Sequence, residues 1–139
     1  MADSCYYEMF SGCTSITTIP NNLLSSTNLD RSCYAYMFSG CTGLTNCPEL
    51  PAMTMKYQCY FGMFKGCTSL TTAANLPATT LAGACYKDMF YLCSNITTCQ
   101  ETLPATTLYT NCYQSLYNGT AITTAPVIMA TKMAAQCCW

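Results

Sequence analysis

The feature that most constrains this chain is that it repeats itself. The block Leu81-Ala-Gly-Ala-Cys85-Tyr86-Lys-Asp-Met89-Phe90 returns with substitutions at Met55 to Phe64, Leu29 to Phe38 and Met1 to Phe10. A weaker copy runs from Leu108 to Tyr117, and a stub from Met133 to Trp139. The first residues fall at 1, 29, 55, 81, 108 and 133, dividing one 139-residue domain into repeats 1–28, 29–54, 55–80, 81–107 and 108–132 with a stub at 133–139. Periods of about 20–50 residues mark arrays whose units cannot bury an apolar face alone and must stack on their neighbours.

Apolar residues stand in fixed columns, and these are the expected structural core. Cys5, Cys33, Cys59, Cys85, Cys112 and Cys137 form one column; Met9, Met37, Met63, Met89 and Leu116 form a second. Phe10, Phe38, Phe64, Phe90 and Tyr117 form a third, and Cys13, Cys41, Cys67 and Cys93 a fourth. Ile16, Leu44, Leu70, Ile96 and Ile122 make a fifth. In Cys-Tyr-x-x-Met-Phe the Cys and Met are four apart, the spacing of one helix face. Gly12, Gly40 and Gly66 fall where such a helix would end, since glycine readily takes the left-handed cap conformation. Ile16-Thr-Thr, Leu70-Thr-Thr and Ile122-Thr-Thr favour short strands, and Pro-Ala-Thr-Thr-Leu at Pro77 to Leu81 and Pro104 to Leu108 reads as a turn.

Each period is thus expected to hold one short helix, one short strand and two turns. Stacking five periods and a partial sixth gives an α/β solenoid, with a parallel sheet on one face and short helices on the other. Met1 shares a column with Leu29, Met55, Leu81, Leu108 and Met133. Neither end shows the polar, divergent cap that repeat arrays need. The expectation is a piece of a longer array, or one that pairs with another copy, with Trp139 over the C-terminal end of the core.

The segment Phe64 to Thr72, Phe-x-Gly-Cys-Thr-Ser-Leu-Thr-Thr, resembles the core of BspA-like leucine-rich repeats of the Treponema pallidum type. The Met-Phe-x-Gly-Cys variant is similar to a related repeat common in bacterial surface proteins. The resemblance covers essentially the whole chain. It implies a leucine-rich-repeat array, a cell-surface, secreted or virion-associated location, and adhesion or protein binding without catalysis. The chain departs from the pattern in its longer period and in its fifth repeat, where Asn118-Gly119-Thr120 replaces the second Cys.

Composition excludes several functions. The chain has no His, which removes Ser-His-Asp and Cys-His catalysis and mixed Cys/His zinc sites. Only 8% of residues are charged and the net charge is −1, so five basic residues cannot build a track for nucleic acid. The charge-free stretch from Thr102 to Thr131 carries Pro104, Asn111, Asn118 and Pro126, so it is no membrane-spanning segment. The first five residues lack a basic and an apolar secretory region. Glu49 and Glu101 lie two repeats apart, but two carboxylates without a cleft do not make a glycosidase. No cofactor, metal or catalytic residue is expected.

The 13 Cys allow two readings. In one, Cys is a small buried hydrophobe that fills a fixed slot in every repeat. In the other, disulfides form, and strand spacing near 4.8 Å makes Cys13–Cys41 and Cys67–Cys93 the feasible bridges. No Cys-x-x-Cys occurs, so redox and zinc-ribbon chemistry have no signature.

Thr17, Thr18, Thr45, Thr71, Thr72, Thr97, Thr98, Thr123 and Thr124 should stack into rows on one face, with the second repeat broken at Asn46. That face is the candidate binding surface for a protein or glycan. Tyr6, Tyr34, Tyr60, Tyr86 and Tyr113 form a further column that packs internally, with exposed members able to stack on sugars. The expected function is a non-catalytic scaffold for adhesion or protein and glycan binding. The alternative is an array that self-assembles through end-to-end or lateral contacts.

Overall fold

The computed structural model describes residues 2–138; Met1 and Trp139 lie outside them, and with them the expected roles of Met1 in its column and Trp139 over the core. The period is built from a ten-residue ribbon of consecutive tight turns at 3–12, 31–40, 57–66, 83–92 and 110–119, beginning again at 135–138. In the third ribbon the amides of Phe61, Met63, Lys65 and Cys67 donate to the carbonyl three residues back, at 3.0–3.2 Å. The alternate amides, those of Gln58, Tyr60, Gly62, Phe64 and Gly66, donate at 2.8–3.2 Å to Gly83, Cys85, Lys87, Met89 and Tyr91 of the next ribbon. Half of the ribbon's donors therefore close local turns and half bind successive repeats together.

Every fourth residue of a ribbon has positive φ: Ser32, Tyr36 and Gly40; Gln58, Gly62 and Gly66; Ala84, Asp88 and Leu92; Asn111, Ser115 and Gly119. A tight turn with positive φ at its third residue is type II, and one with negative φ is compatible with type I, so the two kinds alternate along the ribbon. Non-glycine residues in this region cost roughly 1–2 kcal/mol each. The bonds to the neighbouring ribbon hold them there.

The expected α/β solenoid is overturned by this architecture. Among the described residues there is no helix, and the strands are four two-residue pieces: β1 (Thr102–Leu103), β2 (Thr107–Leu108), β3 (Val127–Ile128) and β4 (Lys132–Met133). They form two separate parallel pairs, β1 with β3 and β2 with β4, not a leucine-rich-repeat sheet. Elsewhere single parallel pairings join Thr54 to Thr80 and Thr72 to Thr98. The expected Ile/Leu-Thr-Thr strands thus shrink to one bridge, while Pro104 to Leu108, expected as a turn, contains β2. Two turns of ribbon repeat every four residues, so its inward positions recur at i and i+4 as a helix's nearly do. The Cys-to-Met spacing fits both. Gly12, Gly40 and Gly66 do take left-handed φ, +74°, +72° and +72°, but they close turn ribbons instead of helices.

The core lies between the ribbons and the extended segments. Cys59, Tyr60, Met63, Phe64, Cys67 and Leu70 of one period are fully buried, as are Cys85, Tyr86, Met89, Phe90, Cys93 and Ile96 of the next. Aromatic rings stack across repeats. Phe10, Phe38, Phe64, Phe90 and Tyr117 follow one another at 5.4–5.8 Å, and Tyr6, Tyr34, Tyr60, Tyr86 and Tyr113 at 5.6–5.9 Å, with planes within 16°. The core expectation needs correction at the first repeat. Cys13 is exposed, and Cys5 and Phe10 are only half-buried, since among the described residues no ribbon lies over the first one. Basic side chains sit over rings of the neighbouring repeat: Arg31 over Tyr57 at 5.5 Å, Lys65 over Tyr91 at 5.0 Å and Lys87 over Phe61 at 5.7 Å.

Gly43 occupies a position where the third repeat has Ser69. Any Cβ there would run into the carbonyl oxygen of Thr14 in the preceding repeat. Backbone cannot swing aside as a side-chain tip can. Gly43→Ala is therefore expected to cost about 1–3 kcal/mol through overpacking, read as a lower urea midpoint at unchanged slope. An unchanged midpoint would contradict this packing of the first two repeats.

Candidate functional site

The structure brings the nine candidate threonines, Thr17, Thr18, Thr45, Thr71, Thr72, Thr97, Thr98, Thr123 and Thr124, out to solvent. Hydrogen bonds join those of the first two repeats in one set and those of the third and fourth in another. Thr45 bonds the Thr17 carbonyl through both its amide and its hydroxyl, each at 2.9 Å. In the second set the Thr97 amide donates to the Thr71 carbonyl at 3.0 Å, the Ala73 amide to the Thr98 carbonyl at 3.0 Å, and the Thr98 hydroxyl to Oγ1 of Thr72 at 3.1 Å.

Between the second and third repeats this ladder is interrupted. Asn46 stands where other repeats carry the second Thr, and its side chain turns back to the first repeat. Its Oδ1 accepts the Ile19 amide at 3.0 Å and its Nδ2 donates to the Ile19 carbonyl at 2.9 Å. Pro48 has no amide to donate. The contact left across the gap is the Cys47 thiol, 3.8 Å from the Thr72 carbonyl. A groove of about 720 Å³ opens at this interruption, lined by Asn21, Thr45, Asn46, Cys47, Pro48, Glu49, Leu50, Pro51, Thr71, Thr72, Ala73, Ala74, Asn75 and Pro77. Gln100 makes the same kind of reach, its amide bonding both backbone groups of Leu76 in the preceding repeat.

Of the predicted residues, the groove gathers Thr45, Thr71 and Thr72. Thr17, Thr18, Thr97, Thr98, Thr123 and Thr124 lie on the face outside it. Asn21, Asn75 and the prolines were not singled out by sequence reasoning. The signal that could have found the groove is the break in the threonine rows at Asn46 followed by Pro48. Its one carboxylate is Glu49, and no second acid and no base shares the lining. Hydroxyls, amides and methyl groups line it, suited to hydrogen bonding a neutral polar ligand.

Most of the thiols face inward, while Cys13 and Cys138 are exposed. All 13 cysteines are free, and Cys33, Cys41, Cys59, Cys67, Cys85, Cys93, Cys112 and Cys137 are buried. The thiols of Cys41, Cys67 and Cys93 donate to the carbonyls of Phe10, Phe38 and Phe64 at 3.1, 3.1 and 2.9 Å. Each thus links its repeat to the one before, and Cys13–Cys41 and Cys67–Cys93 are unbridged. Burial pushes the Cys59, Cys93 and Cys112 thiols up to about 11 and raises those of Cys67 and Cys85 as well. Among the described residues, no group of three or more Cys, Asp or Glu could hold a metal ion, and no helix is long and apolar enough to cross a membrane.

No protein-family model, curated protein or solved structure matches the chain. The likeness to BspA-like repeats gains no support from these comparisons.

Proposed function

We propose that this chain is a non-catalytic repeat scaffold that binds a neutral polar ligand, a glycan or an extended polypeptide, on its threonine face. The groove between the second and third repeats is the seat. The observation that carries this reading is the ladder interruption at Asn46 and Pro48, where a groove of about 720 Å³ opens between two hydrogen-bonded threonine sets. Hydroxyl and amide groups held by a rigid backbone bind such ligands with little ordering cost. Such a face serves presentation at a cell, particle or secreted surface.

The test is a glycan and peptide array probed with the chain and with Thr71→Val and Asn75→Ala. Both side chains are exposed, so the fold tolerates the changes. The expected result is a defined ligand class whose affinity falls about tenfold or more in each variant, a loss of about 1.4 kcal/mol. Absence of any hit, or hits indifferent to both substitutions, would remove the groove from consideration.

A further inference from the structure

Resting on the reading of the groove as the binding seat, we infer that its occupant is an extended polypeptide segment, neutral along the threonines and bearing one basic side chain beside Glu49. The third and fourth repeats are joined by the Thr97 amide to the Thr71 carbonyl and by the Ala73 amide to the Thr98 carbonyl, each at 3.0 Å. One repeat earlier, the same two bonds would run from Thr71 to Thr45 and from Cys47 to Thr72. Neither forms. The Thr71 and Cys47 amides and the Thr45 and Thr72 carbonyls have no backbone partner among the described residues. Each lip of the groove is thus left with one free donor and one carbonyl, and the Thr72 carbonyl meets only the Cys47 thiol, at 3.8 Å.

Leu50 adds a further pair. Its counterpart Leu76 has both backbone groups taken by the side-chain amide of Gln100, and Ile19 in the first repeat is held the same way by Asn46. The third repeat carries Thr72 where the second has Asn46, and Ala74 where the fourth has Gln100, so it has no amide to offer Leu50. Leu50 is buried yet lines the groove, and its amide and carbonyl have no backbone partner among the described residues. Such unpaired groups are costly in a buried residue. At the interfaces on either side, then, the chain satisfies an equivalent need with an amide. A polypeptide brings one amide and one carbonyl per residue, and an extended one adds to a free strand edge through these groups. A sugar ring is held instead by stacking on an aromatic face, and no aromatic side chain lines the groove. Glu49, exposed and the one charge on the lining, selects a basic side chain. Opposite charges at such a rim choose partners more than they tighten them.

The experiment probes the full chain with two arrays. One holds end-blocked hexapeptides of Thr, Ser, Asn and Val with a single Lys, a single Glu or no charge; the other holds neutral, N-acetylated and acidic oligosaccharides. Peptides are expected to bind and oligosaccharides not. Lys peptides should outbind neutral ones about two- to fivefold, and Glu peptides by more. Glu49→Gln, an exposed change, should erase that order while neutral peptides bind as before. The best peptide is then N-methylated at each backbone position in turn and titrated by fluorescence anisotropy. Alternate amides of an extended chain face a strand edge, so methylation at alternate residues should weaken binding about tenfold or more and spare the residues between. Binding of oligosaccharides without peptides, indifference to N-methylation, or a Lys preference that survives Glu49→Gln would overturn the polypeptide inference and leave the scaffold reading standing. A chain that binds no probe of either array overturns both.

Discussion

Raising the pH from 9 to 11 will unfold this chain in one steep transition. The thiols of Cys59, Cys93 and Cys112 are fully buried, and burial pushes their pKa from the ordinary 9.0 up to about 11. Above pH 9 the unfolded chain gives up these protons while the folded chain keeps them, so stability falls as pH rises. Below pH 9 both states hold the protons and the contribution is complete. Each such thiol removes about 1.4 kcal/mol per pH unit across the window, so three remove about 4 kcal/mol per unit. Domains hold only about 5–15 kcal/mol in total. Burial raises the hydroxyls of Tyr60 and Tyr86 too, and they add to the slope at the upper end. Circular dichroism and the absorbance step of the buried tyrosines should coincide, and Cys93→Ala should flatten the pH dependence by about 1.4 kcal/mol per unit. Tyrosines that all titrate near pH 10 in a chain that stays folded would show that the buried columns are open to solvent.

The second large effect is expected for Phe64→Ala. The Phe64 ring is fully buried between Phe38 at 5.8 Å and Phe90 at 5.7 Å. Emptying a Phe site in a core costs about 3–5 kcal/mol, and two parallel ring contacts are lost with it, each worth about 0.5–1.5 kcal/mol. Nothing nearby can collapse into the gap, because the ribbons above and below are fixed at the spacing of their hydrogen bonds. Phe10→Ala is the internal control. Phe10 is half-buried and touches one ring, Phe38, at 5.4 Å, so its loss should cost less than about half as much. Urea unfolding of both variants measures the difference. Equal costs would mean that the column is not a continuous stack.

Much of this architecture could be read from residues alone. The columns of Cys, Met, Phe and Tyr predict what is buried, and in the second to fourth repeats the ribbon residues named as core are buried, while Tyr117 of the fifth is half-buried. What could not be read is the backbone between them. A turn ribbon with a four-residue period and a helix with 3.6 residues per turn place Cys59 and Met63 on one side equally well. The residues that distinguish them, Tyr36, Asp88 and Leu92 with positive φ, carry no conformational signature in sequence, because neighbouring repeats impose the conformation. The extended segments were over-read in the same way. Thr and Ile favour strands, but strands also need continuous partners, and here the pairings shrink to two residues at a time. The threonine face was legible because exposed polar columns stay exposed in either backbone. The groove in it was not, since it depends on where the Asn46 side chain turns, and that choice is made by the Ile19 backbone of another repeat.

The uniform sense of the bonds between ribbons has an electrical consequence. In a helix the peptide dipoles add along the chain; here the amides and carbonyls that join ribbon to ribbon point across it, from one repeat to the next, while bonds between extended segments, such as Thr45 to Thr17 and Thr97 to Thr71, run the other way. The ribbon moments therefore sum along the stacking axis, with the positive pole at the Tyr117 and Gly119 amides and the negative pole at the Cys5, Tyr7, Met9 and Ser11 carbonyls. In a protein with a net charge of only −1, the ribbon layer thus carries a longitudinal polarisation that the extended layer opposes in part.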